Sequence, residues 1–169
     1  KFALSNTEDF APGETAREAE VSDPINRWIA DRTSHVIHSC RKALEEYRFD
    51  LYANHIYEFA WHEYCDWYIE MIKPNFWGDA EASERRRETQ QTMLIVFETI
   101  LKLAHPVMPF LTETLWQEIR LRSVKKPTTI MLERYPTSSD FRTDQRATLY
   151  VEWLKRCISS IRTYQENRR

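Results

Sequence analysis

Five histidines, three cysteines and scattered carboxylates are the groups of this chain that could make or break bonds. His62-Glu63 has the opening of a zinc-protease helix, in which two histidines one turn apart hold the metal and the Glu acts as base. Position 66 is Asp66 where the second histidine belongs. His62 and Cys65 are also one turn apart, but no further Cys or His at a customary spacing completes a ligand set. Glu63 and Asp66 beside His62 make at most a weak acid/base cluster. Asp66 lies in an aromatic run, where a structural hydrogen bond is the better expectation, since a buried carboxylate needs a partner. His35 and His38 share a helix face and are accounted for by surface or core roles. Glycine occurs only at Gly13 and Gly78, and no phosphate loop, dinucleotide fingerprint or Gly-x-Ser-x-Gly elbow is present. The sequence therefore predicts no catalytic residue and no metal ligand.

The other chemistry available is binding, by cations, rings and amides. Net charge is −2, which is no whole-chain signal for nucleic acid. The charge is unevenly spread: residues 1–23 hold two basic and six acidic groups, so the rest of the chain is +2. Basic clusters stand at Arg85-Arg86-Arg87, between Arg120 and Lys126, and at Lys155, Arg156, Arg162, Arg168 and Arg169. Solvated helix faces are the bland account of each.

The elements that position these groups are helical. At 169 residues, with 42% hydrophobic and 13% aromatic content, the chain is about one domain long and buries about 70% of its unfolded surface. Residues 5–22 read as a polar, acidic loop around Pro12-Gly13. Ser22 or Asp23 caps a helix with Pro24 in its first turn, running to about Arg48, and Ile25, Trp28, Ile29, Val36, Ile37, Cys40, Ala43, Leu44 and Tyr47 mark its buried face. Asp50 caps a second helix with Tyr52, Ile56, Phe59, Ala60, Trp67, Tyr68 and Met71 as its stripe, closed by Lys73-Pro74. A loop at 74–82 leads to a third helix over 83–104, stopped by His105-Pro106. Thr112 caps a fourth, to about Leu121, with Leu111 and Trp116 placed as a hydrophobic staple. Thr129 to Leu132 reads as one short strand between Pro127 and Pro136. A last helix covers 143–166, with Ala147, Val151, Leu154, Ile158 and Ile161 on one side. The expected architecture is an all-α antiparallel helix bundle with a short extended segment near 128–133 and a C-terminal helix. It divides into the end of a truncated first helix with an acidic loop (1–22), the helical bundle (23–122) and a C-terminal extension with the short strand and last helix (123–169).

Short loops make successive helices antiparallel, and that gathers chemistry at one end. Arg27 and Trp28 begin the first long helix, Lys73, Pro74, Asn75, Phe76 and Trp77 follow the second, and Arg85 to Arg87 open the third. All must share a pole with Lys1. Cations attract phosphate, exposed rings stack on splayed bases, and polar groups on a rigid frame read base edges. Each residue also has a packing alternative. Trp28 falls on an apolar stripe, Phe76 and Trp77 can fold back over the core, the arginines can be solvated, and Lys73 can simply favour a helix C-terminus. The predicted RNA-binding residues are Lys1, Arg27, Trp28, Lys73, Asn75, Phe76, Arg85 and Arg86.

Several segments carry a family resemblance. They are Asn26-Arg27-Trp28-Ile29, Glu46-Tyr47-Arg48-Phe49, Phe59-x-Trp61-x-Glu63-x-Cys65-Asp66-Trp67-Tyr68 with Lys73-Pro74, His105-Pro106-x-Met108-Pro109-Phe110-x-Thr112-Glu113-x-Leu115-Trp116, and Ile130-Met131-Leu132 followed by Tyr135-Pro136. Together they resemble the anticodon-binding helical domain of valyl-tRNA synthetases over most of the chain. Leucyl and isoleucyl enzymes share the layout but not usually the Cys-Asp-Trp-Tyr and Met-Pro-Phe segments. The resemblance implies recognition of the valine tRNA anticodon, letters A and C, with aminoacylation left to a catalytic domain of the same parent chain. It implies no cofactor in these residues, ATP and Mg being used by the parent enzyme. Lys1 to Leu4 is similar to the end of the family's first bundle helix, most of which is expected outside this chain, and Lys1 stands where Arg is common, losing a planar fork. The rival expectations are a leucyl or isoleucyl domain, a protein-interaction bundle, and a small metal enzyme using His62 and Cys65. Three dispersed cysteines and no long apolar run fit a reduced cytoplasmic protein without a membrane span.

Overall fold

The computed structural model describes residues 2–7, 21–76, 84–120 and 128–166. Lys1, Trp77, most of the loops expected at 5–22 and 74–82, and residues 121–127, which hold the expected end of the fourth helix at Leu121 and most of the basic cluster from Arg120 to Lys126, lie outside the described residues. The elements are α1 (Phe2–Ser5), α2 (Pro24–Glu45), α3 (Phe49–Tyr57), a π-helical stretch (Glu58–Tyr68), α4 (Ile69–Ile72), a 3-10 turn (Lys73–Phe76), α5 (Glu84–Ala104), α6 (Pro109–Arg120) and α7 (Gln145–Glu166). Two further 3-10 turns, Ile130–Leu132 and Ser138–Asp140, precede α7. The all-α bundle expected from the periodicity is the fold observed.

Helix α2 is the axis of the bundle, packing on α3, the π-helical stretch, α5 and α7. Its start follows from local chemistry: Asp23 Oδ1 accepts from the Ile25 amide at 2.7 Å, and Pro24 spends no hydrogen-bond donor where none is needed. It ends at Glu45, short of the expected Arg48, because Tyr47 turns into the left-handed region at φ 56°. The Arg48 amide then donates to Ala43 O (2.8 Å) and the Tyr47 amide to Leu44 O (3.1 Å), the paired pattern of a Schellman ending with Tyr where Gly is usual. Asp50 is not the next cap. Arg48 holds that position without a side-chain bond, and its guanidinium instead grips Asp50 at 2.9 and 2.7 Å.

The second helix is continuous from Phe49 to Ile72, but its middle is π-helical. That changes which residues face inward. Tyr52, Ile56, Phe59, Tyr64, Tyr68 and Ile72 are buried, with a five-residue step from Phe59 to Tyr64. Trp67, Ala60 and Met71, expected on the stripe, are half-buried, and Tyr64 takes the inward place. The buried tyrosines bring their hydroxyls to acceptors on neighbouring helices, as buried Tyr must. Tyr52 donates to Leu103 O, Tyr64 to Met93 O at 2.9 Å, and Tyr68 to Asn26 Oδ1 at 2.9 Å. Arg32 adds a two-pronged bond to Glu63 at 2.7 and 2.9 Å, tying α2 to the π-helical stretch.

Helix α6 begins at Pro109, which suits a first turn. Thr112 is therefore inside the helix and not its cap: it is 1% exposed and donates to Met108 O at 2.8 Å. Leu111, at 56% exposure, does not staple to the buried Trp116. Trp116, Ile119, Leu101 and Ile130 form a second core cluster.

Residues 130–132 are a 3-10 turn and not a strand. No strand occurs among the described residues, so an extended segment here has no ladder for its backbone groups. They are satisfied locally: Thr129 Oγ1 accepts from the Met131 amide, and the Glu133 amide donates to Ile130 O at 3.0 Å. Ile130 is buried while Met131 and Leu132 are 75% and 70% exposed, which breaks the alternation a strand requires. Helix α7 lies on α2 through Ala147 and Val151. The Asp31 carboxylate, 3% exposed, fixes its start by accepting from the Asp144 amide (3.0 Å) and Thr148 Oγ1 (2.7 Å). Ile161, expected inward, is 58% exposed.

Candidate nucleic-acid interface

The pole deduced from antiparallel connection exists. A polar network joins the start of α2, the 3-10 turn after α4 and the start of α5. Thr89 and Asn26, both 0% exposed, are its centre. Thr89 Oγ1 donates to Arg85 O at 2.8 Å and accepts from Asn75 Nδ2 at 3.0 Å and Asn26 Nδ2 at 3.3 Å. Glu88 accepts from the Ser22 amide (3.1 Å), Ser22 Oγ (2.7 Å), the Asp23 amide (3.0 Å) and Asn26 Nδ2 (3.0 Å). Burial opposes ionisation of Glu88, but the bonds from Asn26, Ser22 and the two amides outweigh it and hold the carboxyl below its ordinary value. Helix α1 closes the pole from one side: Phe2 meets Phe76 edge-on at 5.8 Å, and Gln90 Nε2 donates to Asn6 O at 2.9 Å.

The site residues expected from sequence divide into groups. Arg27, Lys73, Asn75, Phe76, Arg85 and Arg86 are brought to this pole. Arg27 Nη1 pairs with Asp144 at 3.2 Å on the α7 side, while its Nε is buried without an acceptor among the described residues. Lys73 Nζ lies 2.5 Å from Glu70, one turn back on its own helix. Arg85 holds Asp23, itself 3% exposed on its side chain, at 2.9 Å. Arg86 lies over the ring of the half-buried Phe76 at 5.8 Å. Arg27, Lys73 and Arg85 thus each face a carboxylate, so the pole is a surface of matched pairs and not a bare positive patch. Two of those pairs are partly exposed, and such pairs contribute only about 0–1 kcal/mol, weak enough for a phosphate to displace.

Trp28 is corrected. It is 0% exposed, and Lys155 of α7 sits 5.5 Å above its ring. Helix α7 covers the stripe on which Trp28 falls, so its ring has no free face for a base. Lys1 and Trp77 lie outside the described residues.

Sequence reasoning missed Glu88, Thr89 and Asn26 as the frame of the pole. A signal was present. Thr89 extends the stripe Met93, Val96, Ile100 by one turn, and Asn26 extends Ile29, Thr33, Ile37. A polar residue on an apolar stripe is buried and must find partners.

The groups with catalytic potential are dispersed. Among the described residues no three His, Cys, Asp or Glu gather as a metal site. His62 Nδ1 faces Asp66 at 3.2 Å on the surface, so Asp66 is an exposed hydrogen-bond partner of His62 and not a buried structural acceptor. Cys40, Cys65 and Cys157 are free thiols. No helix among the described residues is long and apolar enough to cross a membrane.

Comparison with known proteins gives the family of the chain. The family described as the anticodon-binding domain of tRNA ligase matches residues 26–169. A valine–tRNA ligase of Legionella pneumophila (strain Lens) is 38% identical over 167 residues, covering 96% of this chain and 18% of that relative. The chain therefore spans under a fifth of the length of the curated relative it matches, and by its match over residues 26–169 it belongs to the anticodon-binding domain family of tRNA ligases.

Proposed function

We propose that this chain is the anticodon-binding part of a valine–tRNA ligase and grips the anticodon loop of valine tRNA at the pole built from α2, the turn after α4 and α5. The observation that carries the reading is the 38% identity to a valine–tRNA ligase across 96% of the chain. In this reading the parent polypeptide works in the cytoplasm. Its catalytic domain activates valine with ATP and Mg and transfers it to the tRNA, while this domain supplies recognition.

Within the pole, Arg27 and Lys73 exchange partly exposed carboxylate partners for phosphates, while Arg85 keeps the buried Asp23 and offers the exposed side of its guanidinium; Lys1 is the further cation expected from the sequence. The Arg86 guanidinium, 5.8 Å over the Phe76 ring, together with that ring offers a surface for an unstacked base, a role Phe76 takes in place of the buried Trp28. Asn75 supplies a polar group for a base edge. Phosphate contacts set position and base contacts set sequence, so the two classes respond differently to substitution.

Arg27→Ala and Lys73→Ala test the pole by fluorescence anisotropy with a valine anticodon stem-loop across a salt series. Each should weaken binding and lower the salt slope by about 1 if it touches a phosphate. Unchanged slopes in both variants contradict this placement. Preference for a leucine or isoleucine stem-loop moves the chain to those branches. Indifference to RNA with a concentration-dependent mass assigns it to protein interaction.

A further inference from the structure

The amide of Asn75 is oriented by the proton inventory of Thr89. A threonine hydroxyl has one proton and two acceptor lone pairs. Thr89 Oγ1 spends its proton on Arg85 O at 2.8 Å, the i−4 carbonyl of its own helix. Toward Asn26 and Asn75 it can therefore only accept. Asn26 is fixed independently, because its Nδ2 also donates to the acceptor-only Glu88 carboxylate and its Oδ1 accepts from Tyr68. Asn75 must then turn Nδ2 toward Thr89, at 3.0 Å. Its Oδ1 is left as the amide atom turned away from Thr89, in a residue that is not fully buried and with no hydrogen-bond partner among the described residues. The reversed amide would set Oδ1 against the lone pairs of Thr89, which has no proton to give it.

Resting on the reading of the pole as an anticodon site, we propose that Asn75 Oδ1 is a preset acceptor for the exocyclic amino group of an anticodon base, and that Thr89 is its positioning residue. At adenine N6 and cytosine N4 a base presents donors, whereas guanine O6 and uracil O4 present acceptors. A fixed oxygen accepts from the first pair and repels the second. Had the amide been free to rotate, it would accommodate either kind of base. The buried hydroxyl of Thr89 removes that freedom without touching the RNA. The structure contains the geometric requirement for this: Thr89 is 0% exposed and shares the Asn26–Glu88 network, so its hydroxyl is held as firmly as the helices are.

The test is a cycle between protein and RNA. Anticodon stem-loops carry the valine anticodon, or the same loop with its adenosine replaced by purine riboside, or its cytidine by pyrimidin-2-one riboside, each deleting one amino group. Wild type should bind one of the altered loops about 2- to 10-fold more weakly, the worth of one hydrogen bond. In Asn75→Ala that loss should vanish while the salt slope stays as in wild type. Thr89→Val should also erase it, with Thr89→Ser restoring it because serine keeps the hydroxyl. Circular dichroism confirms that Thr89→Val is folded, and Asn75→Ala, at a half-buried position, decides the role of Oδ1 if it is not. Amino-group discrimination that persists in Asn75→Ala overturns this inference alone. Discrimination lost in Asn75→Ala but kept in Thr89→Val overturns the role of Thr89. A wild-type chain indifferent to every anticodon change overturns both this inference and the anticodon reading beneath it.

Discussion

Replacing Glu88 by Ala removes the group that ties the start of α2 to α5. Its carboxylate accepts four hydrogen bonds, two from Ser22 and one each from the Asp23 amide and Asn26 Nδ2. Ser22 is exposed, so water replaces Glu88 there at little cost. The Asp23 and Asn26 donors are part-buried, and Asn26 is 0% exposed, its Nδ2 keeping only the longer bond to Thr89 at 3.3 Å while its Oδ1 still accepts from Tyr68. A hydrogen bond to a charged group is worth about 1.5–3 kcal/mol, and an orphaned buried donor costs a similar amount. With the Ser22 pair discounted and Thr89 retained by Asn26, Glu88→Ala should lose about 2–3 kcal/mol. Urea unfolding at pH 7 measures this as a lower midpoint with an unchanged slope. The same substitution carries a pH signature. The folded-state carboxyl of Glu88 is held below its ordinary value of 4.5, so its ionised form stabilises the fold. That contribution is complete above the ordinary value and is lost as pH falls through the lower folded value. The gap between wild type and Glu88→Ala should therefore be constant from pH 7 to 5 and narrow below about 4.5. A loss under about 0.5 kcal/mol, or a gap that does not change with pH, would refute the reasoning, since a buried donor stripped of a charged acceptor must cost more.

Further outcomes follow from other parts of the fold. Tyr47→Gly should stabilise by about 0.5–1 kcal/mol, because the left-handed penalty of about 1–2 kcal/mol at φ 56° is relieved against a smaller entropic cost of glycine. A fall in melting temperature would show that the Tyr47 ring contributes more than its backbone costs. Trp28→Ala should lose about 3–5 kcal/mol as a fully buried aromatic, and a loss below 1 kcal/mol would mean the ring is not core. Burial pushes the Cys40 thiol up to about 12. A thiol reagent at neutral pH should therefore label the exposed Cys65 in the folded protein and reach Cys40 only after denaturant, as read by peptide mass. Early labelling of Cys40 would contradict its burial.

What was legible in the sequence was the repeating part of the fold. Apolar residues at threes and fours placed α2, α5 and α7 within a few residues, and short connections implied the antiparallel order that puts Arg27, Lys73, Asn75 and Arg85 at one pole. Three features escaped for identifiable reasons. The π-helical stretch shifts the inward face to Tyr64, and a 3.6-residue period cannot register a five-residue step. Ile130 to Leu132 has strand composition, but whether it becomes a strand depends on a partner, and none exists among the described residues. The hub of Glu88 and Thr89 joins residues more than 60 positions apart in sequence to Ser22, Asp23 and Asn26, so only the fold reveals it. Trp28 shows the converse: its apolar register pointed to the core, and its place at the pole pointed to RNA. Helix α7, lying across that face, decides for the core.

The most direct measurement of the central claim is fluorescence anisotropy of this chain with a labelled valine anticodon stem-loop beside one altered only in the anticodon, at low and moderate salt. The account predicts tighter binding to the valine loop at both salt concentrations, with the difference between the loops less salt-sensitive than binding itself. Equal binding to the two loops would mean that the pole attracts only the RNA backbone, and would contradict anticodon recognition by this domain.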